Sequence, residues 1–147
     1  MQRALSLKAH QQLFFTAYEY QPLQPVASLA EQVQLTFNDT VLVLTGIAQP
    51  EPLYQELESC GLSVVPIRFP DHHAFSAADM AHVVELYQQN HACAVVTTEK
   101  DYMRLRSAEL ENVLSLLPVF VAPISVKVLF NQENQFNKTI LSYVTED

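Results

Sequence analysis

The sequence predicts an α/β fold, a three-layer Rossmann-like domain with a mainly parallel sheet and helices on both faces. From Asp39 onward, short apolar runs rich in β-branched residues alternate with segments of helical periodicity, which is the pattern of βαβ units. The chain has 147 residues, of which 49% are hydrophobic, enough for the core of one domain. Only 16% are charged, so the composition is not that of a disordered chain.

Four apolar runs supply the predicted strands of this sheet. They are Val41–Thr45, Ser63–Ile67, Ala92–Thr97 and Val119–Ile124. Each of the first three is followed by a polar turn and a helical segment, as expected for parallel strands joined by crossover helices. A further strand is predicted over residues 126–130.

Caps and apolar spacing mark the predicted helices between these strands. The first begins near Pro50 and ends at Gly61, because proline suits a first helical turn and glycine a helix end. The second begins at Ser76, where Ser-Ala-Ala-Asp is a variant of the capping box. A short third helix begins at Thr98, with Asp101 as the second member of its cap.

The two ends of the chain are less regular. Two more helices are predicted, Ala108–Leu116 and Gln132–Val144. The N-terminal segment contains one predicted strand, Leu13–Tyr20, before prolines interrupt it. We therefore expect residues 1–38 to be a linker or added strands, and residues 39–147 to be the α/β domain.

Charge and cysteine content exclude several classes of protein. A net charge of −8 argues against binding to nucleic acid, which requires clustered basic residues. No apolar run approaches the roughly eighteen residues of a membrane span, and the N-terminus is too polar for a signal peptide, so a cytoplasmic protein is expected. Cys60 and Cys93 have neither disulfide nor metal-ligand spacing, and we expect both to be buried thiols.

Polar clusters follow three of the predicted strands. They are Thr45–Glu51, Phe69–His73 and Thr97–Asp101. Because ligands of open parallel sheets bind beyond the carboxyl ends of the strands, we expect the three clusters to meet at one edge. The chain has only two glycines, which excludes a phosphate-cradling P-loop and a dinucleotide-binding loop.

The triplet Asp71-His72-His73 suits acid–base chemistry, because a carboxylate can orient an imidazole and raise its basicity. It also suits a divalent metal. The alternative is that the aspartate and one histidine only anchor the loop ahead of Ser76. The other histidines, at positions 10, 82 and 91, are predicted to be ordinary surface residues.

The run Thr98-Glu99-Lys100-Asp101 places a cation between two carboxylates at a helix start. Lys100 could help to hold a phosphate there, because free backbone N–H groups already favour an anion. The alternative is that Thr98 and Asp101 are a capping pair and that Glu99 only complements the helix dipole.

Taken together, the clusters resemble a known family. Gly46-Ile47-Ala48-x-Pro50, Phe69–His73 with Ser76–Asp79 behind it, and Thr97–Asp101 are similar in order and separation to the C-terminal domain of the tetraacyldisaccharide 4'-kinase (lipid A 4'-kinase) family. The resemblance spans residues 39 to about 145. It implies two α/β domains with the active site in the cleft between them. It also implies transfer of the γ-phosphate of ATP, with Mg²⁺, to the 4'-hydroxyl of a lipid disaccharide 1-phosphate at the cytoplasmic face of the inner membrane.

The same resemblance implies roles for individual residues. His72, with Asp71, would be catalytic and would help an aspartate of the N-terminal domain to activate the acceptor hydroxyl. The residues implied to bind substrate or phosphate are Lys100, Glu99, Asp101, Thr98 and His73. No metal ligand is assigned.

The sequence departs from the family in lacking the Walker A loop of the N-terminal P-loop domain. We therefore expect the chain alone to be inactive and to hold neither ATP nor Mg²⁺. The expected partners are that P-loop domain and the lipid substrate, with the membrane reached only through the missing domain. Two alternatives remain open, a non-catalytic module that binds a sugar phosphate or a partner, and a metal-dependent phosphoesterase using Asp71-His72-His73.

Overall fold

The structure is a computed structural model that describes residues 6–8, 10–106 and 108–144. The strands within these ranges are β1 (Thr16–Tyr20), β2 (Gln24–Pro25), β3 (Thr40–Thr45), β4 (Ser63–Arg68), β5 (Ala94–Thr98), β6 (Val119–Ala122) and β7 (Ile124–Val128). The α-helices are α1 (Glu51–Ser59), α2 (Ala77–Gln89), α3 (Glu99–Leu105), α4 (Ala108–Leu114) and α5 (Glu133–Val144).

The chain divides into two compact units. The larger is Tyr20–Pro123, and the smaller combines the residues before Tyr20 with those after Pro123. The larger unit holds a five-stranded sheet in the order β2-β6-β5-β3-β4. β3, β4, β5 and β6 are parallel, and only the edge strand β2 is antiparallel to its neighbour.

The order of the strands creates a switch point. From β3 the chain passes through α1 to β4 on one side, then returns through α2 to β5 on the other side of β3. The winding direction therefore reverses between β3 and β5, and the loops that leave these two strands diverge to form a crevice.

Alternate residues of β3 enter two separate cores. Leu42 and Leu44 pack in a cluster with residues of α2, α3 and α4, whereas Val41 and Val43 pack in a cluster with residues of α1. All four side chains are completely buried, and burying a side chain of this size contributes about 1.5–3 kcal/mol. Helices thus cover both faces of the sheet, and the predicted three-layer α/β class is confirmed.

The end of α1 shows why glycine occupies position 61. Leu62 N–H donates to the carbonyl of Leu57 at 3.1 Å and Gly61 N–H donates to that of Glu58 at 2.9 Å, which is the pairing of a Schellman motif. Gly61 has φ of 86°, a left-handed conformation that costs other residues about 1–2 kcal/mol. The predicted helix end at this glycine is confirmed.

The smaller unit consists of β1, β7 and α5. β1 and β7 form a two-stranded sheet, and α5 contacts β7. The ring of Phe14 meets that of Phe136 edge to face at 5.3 Å. The predicted last helix and the strand before it are both present, with the strand shifted to Ile124–Val128.

The two cysteines differ in exposure. The prediction that both are buried is wrong for Cys60, which is exposed because it caps the C-terminal end of α1 at the surface. Cys93 is half-buried, and burial, followed by the nearby Asp39 carboxylate, raises the pKa of its thiol. In the described ranges, no helix combines the length and the apolar character needed to cross a bilayer.

Candidate functional site

The loops that follow β3, β4 and β5 meet at the carboxyl edge of the sheet. Gly46 N–H donates to Asp101 Oδ2 at 2.9 Å, and His72 N–H donates to the carbonyl of Gly46 at 3.3 Å. Lys100 Nζ donates to Asp71 Oδ1 at 3.3 Å. The three polar clusters therefore lie together at the switch point. We call this set the polar rim: Gly46, Asp71, His72, Lys100, Asp101 and Arg104.

Asp101 is the buried anchor of the polar rim. Its side chain has no exposed surface, and besides Gly46 N–H its Oδ2 accepts a hydrogen bond from Thr98 Oγ1 at 2.9 Å. Asp101 N–H in turn donates to Thr98 Oγ1 at 3.1 Å, so the predicted cap of α3 is present. A Cβ on Gly46 would stand 3.2 Å from Asp101 Oδ1. The absence of a side chain at Gly46 therefore allows the buried carboxylate to join the β3 loop to α3.

Arg104 completes the anchor and was missed by reasoning from the sequence. Its Nη1 donates to Asp101 Oδ1 and to the carbonyl of Gly46, both at 3.2 Å, and its Nη2 donates to His72 Nδ1 at 3.0 Å. The available signal was its position three residues after Asp101 on a helix, which places the two side chains on one face. Arg104 links the buried carboxylate to the exposed histidine.

His72 is held in an unusual backbone conformation. Its φ is 63°, in the left-handed region that costs a residue with a Cβ about 1–2 kcal/mol. Its N–H donates to Asp71 Oδ1 at 3.0 Å as well as to Gly46. The imidazole is 74% exposed. Strain of this kind, maintained by specific contacts around an exposed polar side chain, is common at functional sites.

Asp71 and Lys100 form the solvent-facing part of the polar rim. Partial burial opposes ionisation of Asp71, but the hydrogen bond from Lys100 and the charges of His72 and Lys100 outweigh it and lower its pKa below the ordinary 3.8. Lys100 remains 47% exposed, and Glu99 is exposed beside it in the first turn of α3. An ionised carboxylate, an ammonium group and an imidazole thus face solvent above the buried Asp101.

His73 points elsewhere, into the cap of α2. Its Nε2 lies 3.0 Å from Asp79 Oδ2, and its ring stacks on Phe69 with the centroids 4.6 Å apart. Ser76 N–H and Oγ also donate to Asp79 Oδ2, and the predicted capping box is present in full. These contacts match the alternative in which one histidine of the triplet anchors the loop.

Because of the cap of α2, we expect the free energy of unfolding to depend on pH in the acid range. Hydrogen bonds from His73 and then Ser76 lower the pKa of Asp79 below 3.8, so its carboxylate stabilises the fold above that pH. This contribution is lost as the pH falls through the folded-state pKa. We expect Asp79→Asn to flatten the fall in the free energy of unfolding below about pH 4, measured by urea denaturation across the acid range. An unchanged slope would mean that the carboxylate does not stabilise the cap.

The phosphoesterase alternative requires a metal site at Asp71-His72-His73. Among the residues that the structure describes, no three His, Cys, Asp or Glu side chains gather to hold a metal ion, the group that a phosphoesterase site needs. The histidines at positions 10, 82 and 91 are exposed, as predicted.

A separate cavity of about 660 Å³ lies beside α1. Its lining is mostly apolar and includes Leu53, Leu57 and Phe120, together with Glu56. No residue of the polar rim lines it. The acid–base groups and the apolar cavity are therefore distinct features of the larger unit.

Comparison with known proteins identifies similar sequences. The sequence model of the tetraacyldisaccharide-1-P 4'-kinase family matches residues 2–145. Proteins named tetraacyldisaccharide 4'-kinase are similar to the chain: 33% identity in Bacteroides thetaiotaomicron and 34% in Bacteroides fragilis, each over 99% of the chain and 41% of the relative. The Flavobacterium johnsoniae protein of that name is 32% identical over 97% of the chain and 39% of its own length.

The chain thus spans about two fifths of the length of these curated relatives. No solved structure matches the chain.

Proposed function

Because the chain belongs to the tetraacyldisaccharide-1-P 4'-kinase family, we propose that it supplies one part of a lipid A 4'-kinase. The complete enzyme would act at the cytoplasmic face of the inner membrane. There it would transfer the γ-phosphate of ATP, with Mg²⁺, to the 4'-hydroxyl of tetraacyldisaccharide 1-phosphate. The polar rim would form one wall of the cleft in which this transfer takes place.

The observation that carries this proposal is the convergence of the family-like clusters at the switch point of the sheet. Phosphoryl transfer depends mainly on positioning the acceptor oxygen and on stabilising charge at the transferred group. The exposed imidazole of His72 is suited to the first task, and the ammonium group of Lys100 to the second. Asp71 contacts both residues and would keep their side chains at a fixed separation.

The remaining predicted site residues would support these groups. Thr98 and Asp101 hold the start of α3 and the β3 loop together, and the exposed Glu99 lies at the same helix start. His73 contacts Asp79 and would position the loop that carries His72. Direct contact with substrate is proposed for the exposed members of the set.

Nucleotide binding would come from another part of the enzyme. Two glycines cannot build the loop that wraps backbone N–H groups around the phosphates of ATP. We assign ATP and Mg²⁺ to a P-loop domain within the length of the relatives that this chain does not cover. By itself the chain would be inactive.

The exposed apolar surface of the smaller unit supports the proposal that another domain packs against this chain. None of its described residues, 6–8, 10–19 and 124–144, is buried. Its exposed apolar side chains include Tyr18, Val126, Phe130, Tyr143 and Val144, each more than three-fifths exposed. A helix in a folded protein is normally stabilised by packing of an apolar face, and exposed apolar surface of this kind marks interaction sites. The P-loop domain would cover this surface.

A kinase assay in two parts tests the proposal. The chain alone, given ATP, Mg²⁺ and tetraacyldisaccharide 1-phosphate, should give no turnover. Addition of the remaining portion of the Bacteroides thetaiotaomicron kinase should produce a 4'-phosphorylated product at a rate well above that of either part. Turnover by the isolated chain would contradict the assignment of ATP and Mg²⁺ to the P-loop domain.

The same assay separates the alternative of a non-catalytic module. In that case the chain would bind the disaccharide 1-phosphate in a titration, but the mixture would produce no 4'-phosphorylated product. For substitutions of His72 in this assay, the matched control is His82→Ala. It removes an exposed histidine of α2 that lies outside the polar rim, 3.7 Å from a carboxylate oxygen of Glu85.

A further inference from the structure

The structure points to a positioning role for Arg104: we propose that it fixes the tautomer of His72. In this arrangement the imidazole carries its proton on Nε2. It therefore presents an N–H donor, and no proton-accepting nitrogen, to a bound substrate or partner domain. The consequence for catalysis rests on the proposed kinase function, whereas the tautomer itself does not.

The donors and acceptors of Arg104 and His72 determine where the imidazole proton lies. A guanidinium group has five N–H donors and no acceptor. His72 Nδ1, which lies 3.0 Å from Arg104 Nη2, must therefore accept the hydrogen bond with its lone pair. Since a neutral imidazole has one protonated nitrogen, the proton is on Nε2.

Contacts with buried groups keep the guanidinium of Arg104 from turning away from His72. Its Nη1 donates both to the fully buried Asp101 and to the carbonyl of Gly46, and only 23% of its side chain is exposed. Because the guanidinium is planar, two contacts through Nη1 determine the direction of Nη2. The Nη2–H bond is thus directed at Nδ1 by groups that lie in the interior.

Asp71 lies on the other side of the His72 imidazole. Asp71 Oδ2 is 3.6 Å from His72 Nε2, and its electrostatic attraction favours a proton on that nitrogen. Lys100 faces the same carboxylate, at 3.3 Å from Oδ1. A donor at Nδ1 and an anion near Nε2 therefore favour one and the same tautomer.

These contacts determine what His72 can do. The lone pair of the neutral ring is at Nδ1, where Arg104 occupies it, so His72 is not placed to remove a proton from a hydroxyl group. The exposed Nε2–H can instead donate to an oxygen atom of a bound substrate or partner domain. In the proposed reaction, this hydrogen bond would orient the acceptor oxygen or the carboxylate that activates it, while the proton itself moves to another group.

The test is a measurement of the imidazole ¹⁵N chemical shifts of the 147-residue chain by long-range ¹H–¹⁵N correlation at pH 8. The expected result is a single Nε2–H tautomer for His72, with Nδ1 shifted as an acceptor of a hydrogen bond. The exposed His91 supplies the comparison within the same spectrum, since a ring surrounded by water should show averaged shifts. His72→Gln assigns the signals by their disappearance.

Arg104→Lys is the decisive variant. It retains the positive charge beside Asp101, but a single ammonium group cannot reproduce the planar fork that reaches Asp101, Gly46 and His72 together. The Nδ1–H tautomer of His72 should become detectable, and the ¹⁵N shifts of His72 should move toward those of His91. A merely structural role for Arg104 would alter stability and leave the tautomer unchanged.

Two results would overturn the inference. One is a wild-type His72 with its proton on Nδ1. The other is a wild-type His72 with the same averaged shifts as His91, a result that decides the question even if Arg104→Lys fails to fold. No substrate or second domain enters the experiment, so a negative result would leave the kinase proposal standing, and a failed kinase assay would leave the tautomer intact.

Discussion

Asp101→Ala should lower the free energy of unfolding by about 3–5 kcal/mol, the usual result of removing one partner from a buried ion pair. The carboxylate is fully buried and accepts hydrogen bonds from Gly46, Thr98 and Arg104. Its removal would leave a mostly buried guanidinium and a backbone N–H without their acceptor, in a region that water enters poorly. Equilibrium urea denaturation at neutral pH measures the loss.

Glu51→Ala is the matched control for this stability effect. Glu51 also pairs with an arginine, Arg68, at 2.8 Å, but both side chains are 54% exposed. Water replaces an exposed partner at little cost, so the expected change is no more than about 1 kcal/mol. Equal losses for the two variants would show that Asp101 does not act as a buried anchor.

His72→Ala should have the largest effect on catalysis. In the two-part enzyme, loss of a preorganised hydrogen-bond donor should reduce kcat by about 10²–10³-fold. The unfolding free energy of the chain should change much less, because the imidazole is 74% exposed. Initial rates at saturating ATP and lipid substrate, compared with wild type and with His82→Ala, measure the effect.

Two further substitutions separate donation of a hydrogen bond from transfer of a proton. The amide N–H of His72→Gln can reach the place of Nε2–H, whereas that of His72→Asn is too short and lies near the place of Nδ1. Since an amide donates but does not titrate in this range, His72→Gln should retain more activity than His72→Asn or His72→Ala. A glutamine variant as slow as the alanine variant would indicate that His72 exchanges a proton during the reaction.

Much of the secondary structure of the larger unit was predictable, because the sequence signals for its strands and helix ends are local. The buried parallel strands are short apolar runs, and β3 and β5 lie where the runs predicted them, with shifts of one or two residues at their ends. The cap at Ser76 and the helix end at Gly61 were evident from single residues, since each depends on backbone groups a few positions away. Cys60 was wrongly predicted to be buried because its spacing from Leu57 places it on the apolar face of α1, whereas its position at the C-cap leaves it exposed.

Arg104 shows what local signals leave out. Its contacts with Gly46 and His72 join residues 58 and 32 positions apart, and nothing near position 104 in the sequence identifies either partner. The division of the histidine pair is similar. His72 faces solvent and His73 turns into the cap of α2, although the two neighbours are chemically identical.

The sequence alone determined the α/β class, the alternation of strands and helices, and the edge of the sheet at which the polar clusters would meet, because periodicity, caps and the geometry of parallel strands are local or follow from simple topology. Only the tertiary structure decided which of those side chains is buried, which is exposed, and which nitrogen of His72 is available. Those properties depend on contacts between residues far apart in the chain, and on the exclusion of water that such contacts produce.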